Sequence, residues 1–229
     1  MCFPHSGGGP SAFSGWVTGL APHVEVWHVT LPGRATRLRE PFAREWEPLV
    51  HELVETITET VPRPFAVFGH SLGATIAFEV TRALSRNGID PTHLVVSARP
   101  APDTPHTWTV PQDDNELLRH VDQVYGGIPD AICAVPDLLQ YFLTVIRADL
   151  ELSTKHVFKP GPRLRIPVTA LGGDSDPTVS TAQLQRWGAH TEAEFRVHQL
   201  PGGHFYLNDQ EALVLDTILR RLLPVVSVT

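Results

Sequence analysis

Cysteine, long apolar runs and clustered positive charge are all scarce in this chain. Only Cys2 and Cys133 are present, too few for a disulfide framework or a zinc site, which favours a reducing compartment. No segment approaches the roughly eighteen consecutive apolar residues of a membrane span, and the N-terminus lacks the charged lead and apolar core of a signal peptide. We therefore expect a cytoplasmic protein with no membrane partner.

The charge balance also excludes a class of partners. The formal net charge is −7, and lysine and arginine are dispersed along the chain rather than gathered in a stripe. Nucleic-acid binding needs a basic footprint, so we expect no nucleic-acid partner. No internal repeat or low-complexity segment is visible, and 229 residues suit a single domain over 1–229 with an ample core.

Strand-like and helix-like segments alternate along most of the chain. One helix is predicted over residues 45–61, where apolar residues recur at helical spacing. Such alternation predicts an α/β fold with a mostly parallel sheet and helices on both faces. The strand-like runs are Val24 to Leu31, Phe65 to Phe68, Leu94 to Ser97, Ile166 to Leu171 and Phe195 to Leu200.

The most informative segment is Gly69-His70-Ser71-Leu72-Gly73, which follows the strand-like run 65–68 and opens a helical pattern. A sharp strand-to-helix turn needs small residues on either side of a serine that it raises above the sheet, which is the nucleophile elbow of α/β-hydrolases. Gly-x-Ser-x-Gly also occurs in ordinary tight turns, but here both flanking patterns are present. Ser71 is the candidate nucleophile.

A serine nucleophile needs a base and a carboxylate to orient it, and in this fold both come later in the chain. His204 follows a strand-like run, lies in a glycine-rich turn and precedes an amphipathic helix, so it is the candidate base. Asp174 and Asp176 both follow the strand-like run 166–171. We prefer Asp176 as the acid and interpret Asp174 as a turn residue after Gly-Gly.

Acyl transfer also requires hydrogen-bond donors for the oxyanion. The backbone N–H of Leu72, next to the nucleophile, is one expected donor. The second is expected from the glycine-rich loop near the start, with Ser6 preferred and His5 next. A phosphate-binding loop is the rival interpretation, but the Gly-Lys-Ser/Thr ending and the Gly-x-Gly-x-x-Gly pattern are both missing. We expect no metal and no cofactor.

With these parts in place, the chain closely resembles the type II thioesterases that accompany polyketide synthases and nonribosomal peptide synthetases. The resemblance covers nearly the whole chain, although family members usually have one or two more strands before the Phe-Pro loop. It rests on Cys2-Phe3-Pro4-His5-Ser6-Gly7-Gly8, Leu31-Pro32-Gly33-Arg34, Gly69-His70-Ser71-Leu72-Gly73, Gly126-Gly127-Ile128-Pro129, Arg147-Ala148-Asp149, Gly172-Gly173-Asp174-Ser175-Asp176-Pro177, Trp187 and Pro201-Gly202-Gly203-His204-Phe205.

The resemblance implies an α/β-hydrolase fold and a thioesterase activity. The implied substrate is an acyl group on the phosphopantetheine arm of an acyl or peptidyl carrier protein domain, and the implied role is to remove aberrant acyl groups from stalled synthases. An acidic carrier would need a local basic or apolar patch on this acidic protein. Arg34, Arg37 and Arg39 are the obvious cluster, and a solvated loop explains them equally well.

Residues 112–156 interrupt the alternation with two successive helical patterns. The resemblance implies that this insertion is a lid over the nucleophile, with an apolar underside that includes Leu139 and lines an acyl chamber. The alternative is a helical hairpin that only thickens the domain. Arg147 and Asp149 are two residues apart on a helix and cannot face each other, so we interpret Asp149 as structural.

Two other functions stay open at this point. One is a different enzyme of the same fold, either a serine esterase or a chain-releasing or cyclising thioesterase that acts on small free substrates. The other is a noncatalytic protein that binds synthases, which the presence of Ser71, Asp176 and His204 disfavours. Labelling by a serine-directed fluorophosphonate separates catalytic from noncatalytic alternatives.

Overall fold

A parallel sheet organises the chain, as seen in a computed structural model that describes residues 1–105, 109–126, 128 and 130–223. Its strands follow each other in chain order and all run parallel. The predicted mostly parallel sheet is confirmed, and four of the five predicted runs overlap strands. The strands are β1 Cys2–Phe3, β2 Val67–His70, β3 Leu94–Ser97, β4 Val168–Gly173 and β5 Phe195–Leu200.

The predicted strand from Val24 to Leu31 is wrong. This segment lies beside β1 but forms only an isolated bridge between Cys2 and His28. The Cys2 N–H donates to the carbonyl of Trp27 at 2.8 Å, and the Val29 N–H donates to the carbonyl of Cys2 at 2.9 Å. Because β1 is two residues long, the ladder has no room to continue along the rest of the segment.

Helices cover both faces of the sheet, as predicted. Val67, Leu94 and Val96 point to one face and share a core with α2 and α3, whereas Phe68 and Val95 point to the other face and pack with α1 and α9. The helices are α1 Ser14–Leu20, α2 Trp46–Thr60, α3 Leu72–Arg86, α4 Asp114–Tyr125, α5 Asp130–Cys133, α6 Pro136–Thr154, α7 Thr181–Gln185, α8 Tyr206–Asp209 and α9 Glu211–Leu222.

The predicted insertion 112–156 contains α4, α5 and α6, which we call the lid helices. They bury a small core of their own, formed by Leu117, Val121, Leu143, Ile146 and Leu150. Leu139 is partly buried against that core, and Leu138 is 42% exposed. The predicted joint includes Gly126, which ends α4 with a φ of +84°, and two residues, Gly127 and Pro129, that lie outside the described residues.

In the described part of the chain, no helix combines the length and the apolar character needed to cross a bilayer. Cys2 is buried and Cys133 is exposed, and both are free thiols. Burial raises the pKa of the Cys2 thiol, which keeps it protonated and unreactive at neutral pH.

Candidate active site

Ser71 occupies the sharp turn between β2 and α3, with φ +55° and ψ −120°. An ideal Cβ on Gly69 would lie 2.2 Å from the carbonyl oxygen of Gly73, and one on Gly73 would lie 2.2 Å from that of Phe3. Any side chain at either position would therefore collide with backbone, which explains both glycines. The Ser71 N–H donates to the carbonyl of Ser97 at 2.8 Å and fixes the turn to the end of β3.

His204 and Asp176 are brought together by the loops that follow β5 and β4. His204 Nδ1 donates to Asp176 Oδ2 at 2.9 Å, and the two side chains are 2% and 0% exposed. Asp174, in contrast, is exposed and accepts the Gly202 N–H at 3.1 Å and the Ser175 hydroxyl at 2.9 Å. Of the two carboxylates considered from sequence, the structure places Asp176 against the histidine and Asp174 in the turn.

The Asp176 carboxylate is held ionised although it is buried. Burial alone would raise its pKa, but hydrogen bonds from His204 and Thr178 outweigh that effect and keep the pKa below its ordinary value. Thr178 donates to Asp176 Oδ1 through its N–H at 2.8 Å and its hydroxyl at 2.7 Å. An anion at this position favours the imidazole tautomer with the proton on Nδ1.

The opposite nitrogen of His204 is open. Its Nε2 is buried and has no hydrogen-bond partner among the described residues. Ser71 and His204 line the same two cavities. With the Nδ1 proton engaged by Asp176, the Nε2 lone pair is free to accept a proton, as a general base requires.

Two further histidines surround the serine, and burial keeps both neutral. His70 bonds through Nδ1 to Ser97 Oγ at 2.8 Å, and Ser97 Oγ bonds to Tyr206 Oη at 2.6 Å. Burial is the main cause that lowers the pKa of both imidazoles. The pKa of His70 lies well below its usual value, and that of His5 is about 4. Neither imidazole therefore adds positive charge beside the serine at neutral pH.

The glycine-rich loop after β1, residues 5–9, lies beside the serine. Ser6 lines one of the cavities that Ser71 also lines. The Gly7 N–H donates to Asp149 Oδ2 at 2.8 Å and so is already engaged. Leu72 is the first residue of α3, where backbone N–H groups have no partner within the helix. Of the two positions predicted to supply oxyanion donors, Ser6 thus shares a cavity with Ser71, and Leu72 directly follows Ser71 in the chain.

Two cavities of unequal size meet at Ser71 and His204. The first, of about 950 Å³, lies under the lid helices, and the second, of about 340 Å³, lies beside the loop that follows β3. Leu139 does not line either cavity, so its predicted inward position is wrong. The lid contributes Val121, Val124, Tyr125, Ile128, Ile132, Phe142 and Ile146 to the first cavity.

Arg34, Arg37 and Arg39, the candidate basic cluster, do not form a basic patch, and Arg34 does not belong to a solvated loop either. Arg34 is buried and paired with Asp149, and Arg37 is paired with Glu40 and Glu52. Only Arg39 of the three is exposed without a described acidic contact. The arginines of this loop therefore serve mainly internal ion pairs.

Sequence reasoning missed Thr178 and Tyr125. Thr178 lies two residues after Asp176, a spacing at which an aspartate commonly accepts hydrogen bonds from the following backbone and hydroxyl, so that signal was present. Tyr125 packs edge-on against the His204 ring at a centroid distance of 4.9 Å, and burial raises its pKa. No local pattern marks Tyr125, because its contact depends on how the lid helices sit over the sheet.

Within the described ranges, no group of three or more histidine, cysteine, aspartate or glutamate side chains could hold a metal ion. The groups gathered around the serine are instead a histidine, a carboxylate and backbone amides, which are the parts of nucleophilic acyl transfer.

A serine on a strand-to-helix turn, at the carboxyl edge of a parallel sheet and with acid and histidine on later loops, is characteristic of the α/β-hydrolases. More specifically, the chain belongs to the thioesterase family: the family model described as "Thioesterase domain" matches residues 1–222. It is an enzyme that hydrolyses thioesters.

Individual relatives agree with this assignment. Thioesterase PikA5 of Streptomyces venezuelae is 36% identical over 226 residues, which cover 97% of this chain and 80% of the relative. The RedJ thioesterase of Streptomyces coelicolor aligns with a TM-score of 0.91 at 34% identity and covers 96% of this chain and 84% of its own. The type II thioesterase BorB aligns with a TM-score of 0.88 at 35% identity, and the alignment covers 97% of this chain and 91% of the BorB chain.

Proposed function

We propose that this thioesterase removes acyl groups from the phosphopantetheine arm of acyl or peptidyl carrier proteins in polyketide or nonribosomal peptide biosynthesis. The similar RedJ is described as part of the prodiginine biosynthetic pathway, and BorB as the type II thioesterase of the borrelidin biosynthetic cluster. One observation in the structure carries the chemistry: the Asp176–His204 bond leaves Nε2 open, and His204 and Ser71 line the same two cavities.

The proposed reaction has two steps. In the first, His204 Nε2 takes the Ser71 proton as Oγ attacks the thioester carbonyl; the C–S bond then breaks and the thiolate leaves with that proton as a thiol. In the second, His204 removes a proton from water, which attacks the acyl–Ser71 ester; the acyl C–O bond then breaks, His204 returns the proton to Ser71 Oγ, and a carboxylic acid is released. Water is the only co-reactant, so we propose no cofactor.

The oxyanion of each step is proposed to sit between the backbone N–H groups of Leu72 and Ser6. Donors fixed in advance stabilise the charge that develops on the carbonyl oxygen without reorganising during the reaction. Leu72 is held by the start of α3, and Ser6 by the loop after β1. Asp176 orients His204 and stabilises the imidazolium that forms.

The two cavities suit the two halves of an acyl-pantetheine substrate. We propose that the acyl chain enters the larger cavity, where the lid supplies Val121, Ile132, Phe142 and Ile146, and that the arm reaches Ser71 through the smaller one. The lid helices then form the roof of the acyl chamber, in keeping with the interpretation of residues 112–156 as a lid.

Three matched substrates test the proposal: one acyl group presented on a carrier protein, on free pantetheine and as an oxygen ester. We expect kcat/KM to be highest for the carrier-bound thioester, and labelling by a fluorophosphonate to depend on Ser71. A preference for the oxygen ester would indicate a serine esterase, and equal rates on carrier and free pantetheine would indicate an enzyme for small substrates. An unlabelled serine in the folded protein would favour a noncatalytic binding role.

A further inference from the structure

Two motifs distant in sequence meet in the interior next to the glycine-rich loop 5–9. Arg34, from the Leu-Pro-Gly-Arg segment, forms a paired contact with Asp149 of α6, with Nη1–Oδ2 at 2.6 Å and Nη2–Oδ1 at 2.5 Å. The two side chains are 6% and 5% exposed. A buried ion pair costs desolvation energy and is often no more stabilising than apolar packing, so it calls for a reason other than stability.

Both members of the pair also hold the backbone of that loop. Asp149 Oδ2 accepts the Gly7 N–H at 2.8 Å, and Arg34 Nη1 donates to the carbonyl of Gly8 at 3.1 Å. Gly7 has a φ of +79°, a conformation that side-chain-bearing residues avoid. The ion pair therefore holds two consecutive loop residues: Asp149 accepts a hydrogen bond from Gly7, and Arg34 donates one to Gly8.

This attachment determines where the Ser6 N–H points. The carbonyl of His5 accepts the Gly8 N–H at 2.9 Å, so the position of Gly8 fixes the orientation of the peptide between His5 and Ser6. In a planar trans peptide the C=O and N–H point in opposite directions. Holding the His5 carbonyl toward Gly8 therefore turns the Ser6 N–H the other way.

We propose that Arg34 and Asp149 are positioning residues for the oxyanion site, which act by fixing the loop that carries the Ser6 N–H. The proposal rests on the proposed acyl transfer at Ser71. Because Asp149 belongs to α6, the same contact joins a lid helix to the oxyanion loop. A shift of α6 would then move the donor as well as the roof of the larger cavity.

A second ion pair in the lid provides a matched control. Arg147 Nη2 contacts Asp114 Oδ1 at 2.6 Å and joins α6 to the start of α4. Among the described residues, the hydrogen bonds and ion pairs of these two side chains do not involve the loop 5–9, and the pair is more exposed, at 20% and 40%. Loss of this pair loosens the lid helices without touching the Ser6 peptide.

The experiment compares wild type, Asp149→Asn, the double variant Arg34→Gln/Asp149→Asn, and Asp114→Asn. For each, kcat and KM are measured on one acyl-pantetheine, together with the affinity for an alkyl boronic acid and the melting temperature. A boronic acid forms a tetrahedral adduct with the serine and places an oxygen where the oxyanion forms, so its affinity reports the oxyanion donors rather than the fold.

Loss of one oxyanion donor costs about 10²- to 10³-fold in kcat, so a displaced donor should cost at least about tenfold. We expect this loss in Asp149→Asn, with KM within about twofold and a parallel loss of boronate affinity, since the effect is confined to the transition state. Asn can still accept the Gly7 N–H, and the double variant removes the unpaired arginine charge. The double variant should therefore remain folded, and its kcat should be at least about threefold higher than that of Asp149→Asn, because it leaves no unpaired charge buried.

Several results would overturn the proposal. One is a loss of kcat in Asp149→Asn with unchanged boronate affinity, which would mean that the oxyanion donors are intact. Another is an equal loss in Asp114→Asn, which would make the effect one of general lid loosening. If Asp149→Asn does not fold, kcat and boronate affinity of the double variant are compared with those of wild type instead, and a loss of kcat with unchanged boronate affinity would again overturn the proposal. An inactive wild type whose Ser71 resists a fluorophosphonate would instead reject the proposed function, and this proposal with it.

Discussion

Val124 offers a direct test of the larger cavity as the acyl chamber. It lies on α4, is partly buried and lines both cavities, and it is not a member of the lid core. A larger side chain at this position can therefore grow into open space rather than into packed core. Val124→Trp should shorten the room for an acyl chain near Ser71.

The expected magnitude follows from the size of the added side chain. Tryptophan exceeds valine by about seven heavy atoms, enough to displace roughly three methylenes of a bound chain, at about 0.8 kcal/mol each. The cost of about 2.4 kcal/mol corresponds to a change of roughly 50-fold in kcat/KM. Because Val124 also lines the smaller cavity, any cost to the pantetheine arm falls on all substrates alike, so the roughly 50-fold change is expected in the ratio of long-chain to acetyl or propionyl kcat/KM.

The assay measures kcat/KM for a series of acyl-pantetheines from acetyl to decanoyl. Leu139→Trp is the control, because Leu139 packs partly buried in the lid without lining either cavity. We expect it to lower the melting temperature while leaving the ratio of long-chain to short-chain rates unchanged. An unchanged ratio in Val124→Trp, or an equal change in both variants, would refute the assignment of the chamber.

Three more outcomes are expected. Asp176→Asn should cut turnover by roughly 10³- to 10⁴-fold, whereas Asp174→Asn should cost less than about tenfold; the reverse order in the same rate assay would assign the acid to Asp174. Because the folded pKa of His70 is depressed, its contribution to stability is complete above about pH 6.5 and is lost as pH falls, by up to about 1.4 kcal/mol per unit. Urea titrations at several pH values should show that the free energy of unfolding falls less steeply with decreasing pH in His70→Asn than in wild type. An identical pH dependence would argue against burial of His70 as the cause. Gly73→Ala places a Cβ 2.2 Å from backbone and should destabilise by about 3 kcal/mol, against little change for Gly9→Ala, where nothing lies within 4 Å; equal urea midpoints would contradict this.

The parts of the site predictable from sequence are those whose signal is local. Ser71 lies between two glycines at the end of an apolar strand, and His204 lies between a strand and an amphipathic helix, so each is marked by its immediate neighbours. The choice of Asp176 over Asp174 rests on the residues of a single loop, in which Asp174 follows Gly-Gly and is interpreted as a turn residue. The structure places Asp176 beside the histidine. Their catalytic roles remain predictions until the variants are measured.

The parts that could not be predicted depend on contacts between distant segments. Arg34 and Asp149 are 115 residues apart, and nothing in either motif reveals that the two side chains meet. Helical periodicity placed Leu139 on an apolar face, but it could not say whether that face meets a cavity or other lid residues. The segment 24–31 has strand composition, yet the strand that it lies beside in the described structure, β1, is too short to pair along it.

Direct observation of the acyl-enzyme tests whether Ser71 is the nucleophile. An acyl-pantetheine is mixed with the protein, the reaction is quenched with acid within the first turnover, and the protein is examined by intact and peptide mass spectrometry. We expect an added acyl mass on the peptide that contains Ser71, and its absence in Ser71→Ala together with a loss of turnover by several orders of magnitude. Steady hydrolysis with the acyl group found elsewhere, or more than about a tenth of wild-type turnover in Ser71→Ala, would contradict it.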